Sequence, residues 1–163
     1  MRTLLLLRHA KSSWSEAGRS DHDRSLTERG KQDAPRMGQL LKDQGLVPDL
    51  IVSSTAKRAR KTAEKVARTC GYSGEIRQTE ALYLAPVAQY LELLRQLPDQ
   101  HQRVLLVGHN PGLEDLLETL TGRCERLSTA TLAQITFEAA SWRELGGTTS
   151  GQLVNLWRPK ELG

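Results

Sequence analysis

The chain has 163 residues, 38% of them hydrophobic and 26% charged, with 23 Lys and Arg against 19 Asp and Glu for a formal net charge of +4. That length fits one ordinary domain with a sizeable core, and the composition is that of a soluble globular protein. The modest basic balance suits anionic ligands such as phosphate, whereas one Phe, three Tyr and three Trp are too few for a base-stacking surface, which argues against a nucleic-acid partner.

Residues 3–7 ("TLLLL") form a continuous apolar run, the pattern of a strand buried on both faces. The leucines are too few to span a bilayer or to form a signal-peptide core, so no membrane partner is expected and a cytoplasmic location is. A helical pattern over 27–45 sets Ala34, Met37, Leu40 and Leu41 on one face and stops at Gly45, with Pro35 either kinking the helix or starting it. A second buried strand follows at 49–53 ("DLIVS"), then helices over 55–71 and 87–97, a third buried strand at 103–108 ("RVLLVG") and a helix over 111–122. Asn110-Pro111 reads as the cap and first turn of that helix. Residues 131–138 ("TLAQITFE") and 152–158 ("QLVNLWR") read as strands that close the sheet on one side, and the last few residues as a flexible tail. Strands alternating with helices, with no linker or repeat, predict a single α/β domain over 1–163. It is a three-layer sandwich with a largely parallel central sheet and helices on both faces. Cys70 and Cys124 lack metal-ligand spacing and read as free thiols.

Ligands of open α/β sheets bind at the carboxyl ends of the strands. Here those ends carry Arg8-His9, then Ser53-Ser54 leading into a helix with Arg58 in its first turn, then His109-Asn110. Two arginines and two histidines therefore converge on one edge, which predicts an anion site. Arg58 opposes the macrodipole of its own helix, a conflict that a bound anion would reverse. Lys57, Arg60 and Lys61 in the same turn read as a solvated basic face. His22 and His101 lie in polar loops and are expected in solvent. The triplet "DHD" at 21–23 lacks the further ligands that a metal site needs.

Together "LLLRHAK", "SSTAKRARKTAE" and "VLLVGHNPGLE" resemble the histidine phosphatase superfamily, and "HDRSLTERG" resembles its small SixA-type phosphohistidine phosphatase branch. The resemblance implies a phosphoglycerate mutase-like fold and a metal-independent reaction without a cofactor. In it His9 is the nucleophile that becomes phosphorylated, and Arg8, Arg58 and His109 hold the phosphoryl oxygens. It further implies Arg24 as a substrate contact, against the alternative of a loop arginine paired with Asp21 or Asp23, and Ser12 as a hydrogen-bond donor to phosphate. Ser15 stands where the mutase branch has Asn. The phytase-like branch has an Asp acid directly after the second histidine, but here that residue is Asn110. Glu80 is left as the candidate general acid.

The expected substrate is a phosphohistidine-bearing protein, because imidazole leaves far more readily than an alkoxide. The alternatives are a small-molecule phosphomonoesterase with Glu80 as acid, and a non-catalytic module that binds a phosphorylated ligand. With no sizeable insertion to form a cap, the site is expected to be open.

Overall fold

The computed structural model describes residues 1–14, 20–147 and 149–162. Its centre is β1 (Arg2–Arg8), in which alternation sends Leu4 and Leu6 to one face and Leu5 and Leu7 to the other, all four completely buried. β2 (Leu50–Ser54), β3 (Ile76–Thr79) and β4 (Arg103–Gly108) run parallel to it, while β5 (Leu132–Phe137) and β6 (Gln152–Trp157) form an antiparallel pair on the far side. The sheet order is β3-β2-β4-β1-β5-β6. The fold is the expected α/β sandwich, and both late strands do close one side.

Helices cover the two faces. On one, α1 (Glu28–Asp43) and α2 (Lys57–Cys70) bring Ala34, Met37, Leu41, Ala63 and Val66 against Leu5, Leu7, Leu105 and Val107. On the other, α3 (Val87–Arg95) and α4 (Gly112–Thr121) set Tyr90, Leu94, Leu113 and Leu116 against Leu4, Leu6 and Leu106, with Trp142 closing that core. Each fully buried leucine stabilises the fold by about 1.5–3 kcal/mol. Among the described residues no helix is long and apolar enough to cross a membrane.

Four local readings change. β3 ("IRQT") was not anticipated, since it is a half-exposed strand at the sheet edge without an apolar run. Of the two alternatives at Pro35 a helix start is ruled out: Thr27 caps α1 by accepting the Gly30 N–H, and the helix runs through the proline to Asp43. Asn110 does not cap α4. The position before the helix is Pro111, without a side-chain cap, and the Asn110 amide donates instead to Glu114 and to the Leu127 carbonyl. The closing residues 159–161, expected to trail as a tail, fold as a 3-10 turn, with Pro159 buried and its carbonyl accepting from Arg36.

The α1–α2 contact depends on Gly38. A Cβ there would stand 1.8 Å from Thr69 Oγ1 and 2.6 Å from the Val66 carbonyl oxygen. An alanine inside a helix ordinarily adds about 0.5–1 kcal/mol over glycine. In Gly38→Ala that gain is overwhelmed by overpacking of about 1–3 kcal/mol. Thermal unfolding should therefore show a lower Tm, and a raised Tm would contradict the close crossing.

Candidate active site

The β1–β4 pairing builds the centre of the site. Arg8 lies in register with Gly108, so the next residue of each strand, His9 and His109, leaves the sheet side by side, with ring centroids 5.1 Å apart. The lack of a side chain at Gly108 is required, because a Cβ there would lie 2.3 Å from the Tyr90 hydroxyl oxygen. That hydroxyl accepts the His109 backbone N–H at 3.2 Å, and burial keeps it neutral by pushing the Tyr90 pKa up to about 12. Beyond His9, the Ala10 N–H donates to Thr62 Oγ1 at 2.9 Å, and the Thr62 hydroxyl donates to the Arg58 carbonyl at 2.7 Å. Thr62 thus ties the end of β1 to the first turn of α2, where Arg58 sits.

The tautomer of His9 follows from one contact. Its Nδ1 lies 2.8 Å from the Ala10 carbonyl oxygen, which can only accept, so Nδ1 carries the hydrogen and Nε2 keeps a lone pair. Burial, reinforced by the charges of His109, Arg58 and Arg8, lowers the His9 pKa to about 3. His109, whose Nε2 is 2.8 Å from Ser54 Oγ, is lowered to about 3 by burial and then by Arg58. Both rings are therefore neutral at physiological pH.

A cavity of about 430 Å³ opens here, lined among others by Arg8, His9, Arg58, His109 and Asn110. Arg8 Nε, Arg58 Nε, His109 Nδ1 and Asn110 Oδ1 are buried without a hydrogen-bond partner. They are four of the six such atoms found among the described residues, so unsatisfied polarity is concentrated around this cavity rather than spread through the fold.

Residues 4–83 match the model of the histidine phosphatase superfamily, branch 1. An uncharacterized chloroplast protein of Arabidopsis thaliana is 32% identical over 170 residues, which span 97% of this chain and 78% of that protein. A crystal structure from Agrobacterium tumefaciens, assigned as phosphohistidine phosphatase SixA, superposes with a TM-score of 0.83 at 32% identity, covering 97% of this chain and 98% of the other. Another SixA-assigned structure, from Nakamurella multipartitia, gives 0.85 at 28% identity over 97% and 96%. The chain belongs to the histidine phosphatase superfamily.

In this phosphatase a residue not singled out from the sequence organises the cations. Asp21 accepts from Arg24 Nη1 at 2.9 Å, from Arg58 Nη2 at 3.1 Å and from the Tyr83 hydroxyl at 2.5 Å, while its backbone carbonyl accepts from Arg58 Nη1 at 2.7 Å. Burial works to raise the Asp21 pKa, but the hydrogen bonds of Tyr83 and Arg24 and the nearby charge of Arg58 outweigh it and hold it down at about 2. In the sequence it stands only within the "DHD" triplet and as one of two alternative partners of Arg24. Tyr83, also missed, packs edge-on against His109, with centroids 5.7 Å apart.

The remaining candidates divide. Arg24 and Ser12 both line the cavity: Arg24 pairs with Asp21, as its structural alternative expected, and also donates to Ser12 Oγ at 2.6 Å and to the Ser13 carbonyl at 2.9 Å. Glu80 is not brought to the site. It is exposed, opens a 3-10 turn over Glu80–Leu82 directly after β3 and is absent from the cavity lining. His22 is half-buried rather than in solvent, with Nε2 3.0 Å from Thr55 Oγ1 and its ring against Tyr83. His101 is also half-buried, 3.8 Å from the Asp49 carboxylate. Lys57, Arg60 and Lys61 stay outside the cavity lining, and Lys61 pairs with Glu64. Ser15 lies outside the described residues. Among the described residues no group of three or more His, Cys, Asp or Glu is placed to hold a metal ion.

The lowered pKa values carry a stability prediction. Below about pH 6.5 the unfolded chain protonates its histidines, while folded His9 and His109 stay neutral until about 3. Their contribution to stability is complete above 6.5 and is lost as the pH falls toward 3. Tm should therefore drop between pH 7 and pH 4.5, and the drop should be smaller in His9→Ala. An equal drop in both proteins would contradict a buried, neutral His9.

Proposed function

We propose that this phosphatase works through a phosphohistidine at His9 and acts on phosphohistidine carried by a protein. The observation that carries the reading is the hydrogen bond from His9 Nδ1 to Ala10, which leaves Nε2 with its lone pair on a neutral ring lining the cavity. Such an imidazole is a nucleophile at neutral pH without a base to deprotonate it.

In the first step Nε2 forms a bond to phosphorus while the bond to the leaving nitrogen breaks, its electron pair departing with the imidazole. In the second step water attacks phosphorus, orthophosphate leaves, and His9 recovers its lone pair as the water's proton passes to solvent. Charge on the equatorial oxygens is met by the Arg8 and Arg58 guanidiniums and by a ring N–H of His109. Donors of this kind are worth about 2.7–4 kcal/mol each in other enzymes.

The leaving group decides the substrate class. An alkoxide has a conjugate acid with a pKa of about 16 and needs a proton from the enzyme. Imidazole, with a conjugate acid near about 6.5, can carry its own. Asp21 is the one carboxylate among the described residues lining the cavity, and it is held ionised, while Glu80 stands outside. This favours an N–P bond over a sugar phosphate.

The test is turnover of a phosphohistidine peptide beside several sugar phosphates. His9→Ala should lose on the order of 10³-fold or more, and acid-labile radiolabel should appear on His9 of the unaltered protein. Absence of both label and turnover would instead indicate a binding module. Glu80→Gln should leave both activities within about threefold, as expected of a surface change; selective loss on sugar phosphates would make Glu80 the acid after all. Arg58→Lys should lower kcat by about 10²-fold, since an ammonium cannot replace the planar paired donors.

A further inference from the structure

We propose that Trp14 and Leu84 form an apolar docking rim that selects a folded protein phosphorylated on histidine over a small phosphorylated metabolite. The proposal rests on the phosphatase reading above and adds the residues that would enforce its substrate class.

Two observations converge on the rim. Only five large apolar side chains are exposed among the described residues, and two of them, Trp14 at 82% and Leu84 at 57%, line the catalytic cavity. Exposed apolar groups gathered at one site mark a surface that is covered by a partner in use. Leu84 adds an independent signal, because its φ is +50°, in the left-handed region where a leucine is strained and Gly, Asn or Asp sit more easily. The position thus holds a residue that is poor for its backbone and poor for its solvent, a combination that points to function rather than to folding.

The chemistry of the mouth identifies the occupant. Trp14 stacks on Arg24, with the guanidinium carbon 3.3 Å from the ring centroid, which holds an aromatic surface beside the anion site. Lys11 lines the same cavity, and Arg8 and Arg58 lie deeper in it. A partner that fits presents a doubly negative phosphoryl group flanked by apolar side chains. A phosphohistidine on a protein surface does so. A sugar phosphate would set its hydroxyls against an indole and an isobutyl group that offer them no acceptor.

Leu84 is the residue to test, because Trp14 also bears on Arg24. Leu84→Asn keeps a side chain tolerant of the left-handed conformation and removes the apolar contact, and Leu84→Gly does so without any side chain. Each would be compared with the unaltered protein on a folded protein phosphorylated on histidine and on phosphoramidate, a small compound with the same N–P bond. The expected result is an about tenfold loss of kcat/KM on the protein, expressed in KM, with phosphoramidate turnover unchanged. Equal losses on both substrates, or none on the protein, overturn the rim while leaving the phosphatase reading in place. Failure of the unaltered protein to turn over either substrate overturns both. If sedimentation shows a dimer that Leu84→Asn converts to a monomer, the rim is instead an interface between two copies, and the proposal falls.

Discussion

A single hydrogen bond, from His9 Nδ1 to the carbonyl of the next residue, determines what the imidazole can do. An imidazole has two nitrogens and, when neutral, one proton. Fixing that proton on Nδ1 fixes the lone pair on Nε2. Much of the surrounding fold keeps this arrangement in place. Ala130, itself in the left-handed region, turns its N–H onto the carbonyls of Arg8 and His9, and Thr62 holds the Ala10 N–H. The four buried leucines of β1 are bounded by Thr3 and Arg8, so a shift of the strand by one residue would draw one of these polar residues into the core.

Around that ring the electrostatics are organised by exclusion and by counter-charge. The two histidines are kept neutral because they are buried beside guanidinium groups, so the positive charge of the site resides in its arginines. Arg24 and Arg58 are both held by Asp21, which joins the 3-10 turn Asp21–Asp23 to the first turn of α2 and, through Tyr83, to the segment before α3.

How much of this could be read in advance depended on whether a feature is local. The buried strands announced themselves as apolar runs, and the rule that ligands gather at strand ends was enough to bring Arg8, His9, Arg58 and His109 together. The short edge strand Ile76–Thr79 has no such run, because one of its sides meets solvent. The role of Asn110 was misjudged because the helix starts one residue later, after Pro111: the Asn110 NH2 donates to Glu114 and the Leu127 carbonyl, while the Oδ1 that a cap would use has no partner. Asp21 and Tyr83 could not be found from spacing, since they are 62 residues apart and meet only when the turn folds over α2.

Asp21 also has a consequence for turnover. Among the described residues the charged side chains lining the cavity are Lys11, three guanidiniums and this one carboxylate, so Asp21 offsets one of four positive charges. A cluster of arginines alone would grip every phosphate species, spent orthophosphate included, and the enzyme would stall on its own waste. The internal negative charge weakens that grip for substrate and product alike.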